Sequence, residues 1–186
     1  MVVRRVKDTQ TKKVFMHKVA DIRGGVAIKT SELGGDFIPE GAVLSAPDAG
    51  ICHVVKVAQL KAEYSGETSL QVSKNSCFKV GDFVMTKVGG KAYAITKIDA
   101  SNKQHDVITI GTGIDSAHQH EFIMEAAVQS TSSSSKLKHQ PLALAGTGKA
   151  FKAGDNVDMD AWVIGVTKGN PIPAPIAEKL KGIINY

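Results

Sequence analysis

Residues 82–98 read DFVMTKVGGKAYAITKI, two runs rich in β-branched and aromatic side chains on either side of Gly89-Gly90. A glycine pair between two such runs is a hairpin signal, because glycine accepts the backbone angles that a tight turn imposes. The same grammar continues on both sides. Residues 51–57 (ICHVVKV), 67–73 (ETSLQVS), 106–110 (DVITI) and 161–166 (AWVIGV) all read as short strands. The last is apolar enough to be a buried strand.

Helix is scarce by comparison. Residues 119–128 (QHEFIMEAAV) offer two or three turns at most. Residues 174–184 (APIAEKLKGII) place Ile176, Leu180 and Ile183 at helical spacing behind Pro171, Pro173 and Pro175, with Gly182 weakening the end. The fold class expected is mainly β: a small β-barrel or β-sandwich body, and a short C-terminal β module ending in a helix.

One local pattern occurs three times. It is Ile38-Pro-Glu-Gly41-Ala-Val43, Phe78-Lys-Val-Gly81-Asp-Phe83 and Phe151-Lys-Ala-Gly154-Asp-Asn-Val157. An apolar residue stands three before a glycine, and a strand-forming residue two or three after it. This predicts a turn with positive φ at the glycine, feeding a strand. The spacing between copies is irregular, so it is no fixed-period repeat.

The 186 residues carry a formal charge of +5, unevenly spread. Residues 1–18 hold six basic residues against one aspartate; residues 19–128 hold ten basic against thirteen acidic. The expected organisation is a basic arm (1–18), a β-rich body (19–128), a flexible Ser-rich linker (129–136, QSTSSSSK) and the C-terminal module (137–186). The arm, with Arg4, Arg5, Lys7, Lys12 and Lys13, suits docking on an acidic surface. It has no apolar stretch of the kind a secretory signal carries, and no run reaches the ~20 apolar residues of a membrane span.

Reactive constellations are missing from the sequence. Cys52 and Cys77 form no C-x-x-C pair and read as buried free thiols. The triplets Gly111-Thr-Gly113 and Gly146-Thr-Gly148 lack the third glycine of a dinucleotide fingerprint, and no P-loop or nucleophile elbow occurs. His118-Gln-His120 is a weak metal candidate, since alternate strand positions share a face. Asp158 and Asp160 flank Met159 without a sugar platform beside them. No aromatic except Phe15 interleaves with the basic residues of the arm, which argues against nucleic acid. No cofactor and no catalytic residue are expected.

Several phrases carry a family resemblance. Arg23-Gly-Gly-Val-Ala-Ile28, Phe37-Ile-Pro-Glu-Gly-Ala-Val-Leu44, Phe78-Lys-Val-Gly-Asp-Phe-Val84, Asp160-Ala-Trp-Val-Ile-Gly-Val166 and the ending Ile172-Pro-Ala-Pro-Ile-Ala-Glu-Lys-Leu-Lys-Gly-Ile-Ile184 together resemble head fibre (capsid decoration) proteins. These belong to tailed phages and prophages of Bacteroides, crAss-like phages included. The resemblance implies a non-catalytic virion protein on the capsid exterior, assembled in the bacterial host cytoplasm. It also implies the major capsid protein and further copies of the chain, as a homotrimer, for partners. No long repetitive shaft is present, so fibre and cement roles both stay open. Ile176, Leu180 and Ile183 would then supply a self-association stripe, or else pack on the chain's own body. The alternative is a carbohydrate-binding or adhesion module, with Trp162 reading a host or mucosal glycan.

Overall fold

The computed structural model describes residues 12–152 and 154–186, and they are mainly β. In chain order the first strands are β1 (Phe15–Asp21), β2 (Val26–Ile28), β3 (Phe37–Ile38), β4 (Val43–Ser45) and β5 (Val57–Gln59). Then come β6 (Ser69–Val72), β7 (Phe83–Met85), β8 (Tyr93–Asp99), β9 (Asp106–Ile110) and β10 (Phe122–Ala126). The last are β11 (Pro141–Ala145), β12 (Lys149–Ala150), β13 (Val157–Met159), β14 (Ala161–Thr167) and β15 (Ile183–Asn185). A 3₁₀ turn, η1, covers Thr30–Glu32, and one short helix, α1, covers Ala174–Ala177.

The strands pair in a nested order. One sheet runs β5-β10-β7-β8-β9-β6 and comes entirely from the middle of the chain. The other runs β1-β14-β11-β4, with β15 parallel to β14, and joins the two ends of the chain. The ribbons β2–β13 and β3–β12 join the same two ends. The middle sheet curls until Ser73 N–H donates to Gln59 O and Lys61 N–H to Gln71 O, around a Leu60–Val72 bridge. That single bridge falls short of a strand pair, so the sheet formed by the described residues is not a closed barrel.

This pairing does not follow the body-and-module division expected from the serine stretch. Residues 137–186 complete the sheet begun by β1 and β4 and are no separate module. Nor does the Ser-rich segment hang free. Ser130 and Ala92 exchange both backbone hydrogen bonds, Gly89 N–H donates to Ser135 O, and Ser130 and Ser135 are buried. Their hydroxyls find carbonyls of Ser132 and Lys87, so burial leaves them satisfied.

The threefold turn pattern has the predicted geometry. Gly41, Gly81 and Gly154 sit at φ +82°, +96° and +102°. Each is the third residue of a turn closed by an N–H···O bond across three residues: Ala42 to Pro39, Asp82 to Lys79 and Asp155 to Lys152. Positive φ at that place is the type II requirement. The turns deliver the chain into β4, β7 and β13 respectively.

Two helix expectations are corrected. Residues 119–128 hold β10, not a helix; Ile123, Met124, Glu125 and Ala126 are all buried between β5 and β7. A strand covered on both faces shows no alternation, so its apolar run imitates a helix. At the C-terminus α1 stops after four residues, and Lys179, Leu180 and Ile183 close successive three-residue turns. Gly182 then lets the backbone pass the Val163 carbonyl, where a Cβ would collide, and β15 begins.

Three apolar clusters result. One fills the middle sheet around Leu70, Ile95, Ile108 and Ile123. A second fills the terminal sheet around Ile28, Ile38, Leu44 and Ala143. The third lies on the seam, where Val43, Leu144, Ile176 and Leu180 meet Met85, Met124 and Ala126 of the middle sheet. Each such aliphatic side chain contributes roughly 1.5–3 kcal/mol on full burial.

Candidate functional site

A chain of charged side chains runs through this seam. Lys56, just ahead of β5, is 1% exposed. Its Nζ lies 2.5 Å from Asp82 Oδ2, on the turn before β7, and 3.2 Å from Glu125 Oε1 on β10. Asp82 Oδ2 also accepts the Lys79 backbone N–H at 2.8 Å. Glu125 Oε1 takes a second cation, Lys138 Nζ at 2.9 Å, while its Oε2 is buried without a partner. Lys138 reaches Glu32 Oε2 at 3.9 Å. Glu32, in η1, is held at its other oxygen by Lys29 at 3.0 Å.

The electrostatics follow from burial set against pairing. Burial pushes the Glu125 carboxyl up, and the Lys56 and Lys138 cations offset only part of that. For Lys138, burial is outweighed by the hydrogen bond and charge of Glu125 and by Glu32, so its ammonium is held above the usual range. Burial would also raise Glu32, but hydrogen bonds from Lys29 and His53 and the charges of His53 and Lys138 win and hold it at about 2. Charges buried this deep survive only when paired.

Two histidines close the cluster. His53 Nδ1 is 2.9 Å from Glu32 Oε2, and His139 Nε2 is 3.6 Å from the same oxygen. Their imidazoles stack with centroids 4.1 Å apart and planes 9° from parallel. His139 Nε2 is buried and has no hydrogen-bond partner. Burial, then the charges of His53 and Lys138, lower the His139 pKa to about 4. Glu32, His53 and His139 each offer a ligating atom within 4.8 Å of the others.

The residues singled out from sequence are scattered. Arg4, Arg5 and Lys7 lie outside the described residues. Lys12 Nζ donates to Gly169 O at 2.6 Å, and Lys13 is exposed. Ile176 and Leu180 are buried in the seam cluster and Ile183 packs against it. They are therefore core residues, not an outward self-association stripe, because the chain's own β4, β10 and β11 cover them. His118 and His120 are exposed on the loop before β10, with His118 Nδ1 3.6 Å from the exposed Glu63 carboxylate. Cys52 and Cys77 are buried and free. The Glu32–His53–His139 cluster carried no sequence signal, since its members come from three distant segments.

Trp162 is half-buried on β14 beside Phe15, their ring centroids 6.4 Å apart. Its Nε1–H donates to Asp160 Oδ2 at 2.9 Å. Lys18 Nζ stands 5.4 Å from both ring centroids and donates to Gly146 O at 2.5 Å. Asp160 is thus engaged by tryptophan and, at 3.7 Å, by Lys18.

The site and fold together define a mainly β protein of two nested sheets sealed by a buried ionic seam. Comparison with models of protein families, with curated proteins and with solved structures found no match. Among the described residues, no helix is long and apolar enough to cross a membrane.

Proposed function

We propose that this chain is a non-catalytic structural protein of a virion, decorating the outer capsid surface as a head fibre or cement protein in several copies. The sequence resemblance to head fibre proteins motivates the capsid setting. The observation that carries assembly is an apolar surface on three adjoining strands and the residue after them. Met16 (55% exposed) and Val19 (67%) lie on β1, Ile164 (45%) on β14, Ile184 (64%) on β15, and Tyr186 (65%) just beyond. Ile164 stands opposite Ala20 and Ile184 opposite Val166, so the strands bring them together. Large apolar side chains grouped on one sheet are what an interface covers; a stable one needs roughly 800 Å² per partner.

The test is oligomeric state by light scattering together with cosedimentation with phage heads. The wild type should be a multimer that sediments with heads, and Ile164→Asp with Ile184→Asp should release monomers of unchanged fold. A wild type that stays monomeric and never sediments with heads overturns the proposal. The carbohydrate-binding reading ranks second. Trp162 is the one indole available to it, but it is half-buried and the Lys18 ammonium lies over that ring and would have to move before a sugar could stack. Glycan-array binding lost in Trp162→Ala would favour it.

A further inference from the structure

We propose that Glu32, His53 and His139 form a binding site for a transition-metal dication of the zinc, copper or nickel class. The donor set is two imidazole nitrogens and one carboxylate oxygen, which suits these ions and not magnesium or calcium. Zinc holds its ligands at about 2.0–2.1 Å, which sets tetrahedral donors roughly 3.3 Å apart. The separations from Glu32 Oε2, 2.9 Å to His53 Nδ1 and 3.6 Å to His139 Nε2, bracket that spacing.

The second observation is the orphaned His139 Nε2. Buried polar atoms nearly always have a partner, and each exception asks for an occupant. This atom is buried, unpaired and turned toward a carboxylate 3.6 Å away.

Two features oppose binding and limit it to moderate affinity. Lys29 and Lys138 both approach Glu32. Lys29 sits on Oε1, leaving Oε2 to the metal, and Lys138 is neutralised by Glu125. The stacked rings also cannot aim both lone pairs at one point, because nearly parallel planes do not meet. Binding therefore requires one imidazole to turn about χ2, a broad and soft torsion. Three protein donors leave a fourth position for water.

The experiment is titration of the full chain with Zn²⁺ at neutral pH by calorimetry, with Co²⁺ as a visible reporter of tetrahedral coordination. A single equivalent should bind and raise the melting temperature, while Mg²⁺ and Ca²⁺ do neither. Affinity should fall at least tenfold in His139→Ala and in His53→Ala, yet persist in His118→Ala with His120→Ala. Because the core variants could fail to fold, imidazole NMR shifts of the wild type provide the independent reading. Zn²⁺ should move the His53 and His139 resonances and not those of His118 and His120. No binding, or shifts confined to His118 and His120, overturns the site.

Discussion

The Nζ of Lys138 lies 2.9 Å from Oε1 of Glu125, and this contact joins a segment leading into the terminal sheet to β10, the second strand of the middle one. The same Glu125 oxygen faces the buried Lys56 at 3.2 Å. The two sheets thus share a carboxylate as well as an apolar cluster.

Lys56 holds the largest share of that arrangement. Lys56→Met leaves the buried Asp82 without its cation and Glu125 with Lys138 alone, and should cost about 3–5 kcal/mol of unfolding free energy. Denaturant titration measures it. Adding Asp82→Asn and Glu125→Gln to the same chain should recover part of the loss, since the uncompensated charges are then gone. A single variant as stable as the wild type would show that the seam does not depend on the pairing.

Stability should fall on acidification in two consecutive windows. With a chelator present, His139 titrates at about 4 in the fold against 6.5 ordinarily. The unfolded chain therefore takes up a proton first, so this contribution is full above about pH 6.5 and is lost as pH falls through 4. Glu32, at about 2 against 4.5, contributes fully above pH 4.5 and loses that contribution toward pH 2. Solvent reaches both groups and screens them, which leaves each on the order of 1 kcal/mol. Melting curves across pH should show both limbs, and His139→Gln should flatten only the upper one.

The two glycines of Gly111-Thr112-Gly113 should respond differently to alanine. A Cβ at Gly113 would run into the Gly66 carbonyl, a rigid backbone atom, whereas at Gly111 the nearest neighbour is a Thr96 methyl at 3.8 Å. Gly113→Ala should cost roughly 2 kcal/mol or more and Gly111→Ala within about 1 kcal/mol. Thermal unfolding distinguishes them.

Both thiols should resist alkylation in the native state. Burial raises Cys52 and pushes Cys77 up to about 12, so neither supplies thiolate at neutral pH. Iodoacetamide should label the cysteines only after denaturant is added. Labelling at the rate of a free thiol without denaturant would contradict the burial.

Much of the local structure was readable from the chain. The run at 106–110 coincides with β9, AWVIGV falls one residue short of β14, and each turn glycine has its expected φ. What escaped is non-local. Nothing in FMHKVAD names AWVIGVT as its neighbour, and β2, β3 and β12 are too short to show a period. Pairing is therefore invisible, and the serine stretch reads as a boundary although the hydroxyls of Ser130 and Ser135 are buried and satisfied by carbonyls. The histidine cluster was hidden for the same reason: Glu32, His53 and His139 become neighbours only once β4, the segment behind it and β11 are aligned.

The nested strand order also dictates a timetable for synthesis. As the chain leaves the ribosome, the middle sheet has all its strands once Ala126 has emerged, and it can close early. Phe15 must wait for Thr167 before it gains its partner, and the Gly165–Thr167 end of β14 meets its parallel partner only when β15 arrives. During that interval the first strand's apolar residues stand exposed beside a finished core. That makes the nascent terminal half, rather than the mature protein, the form most in need of protection from other chains.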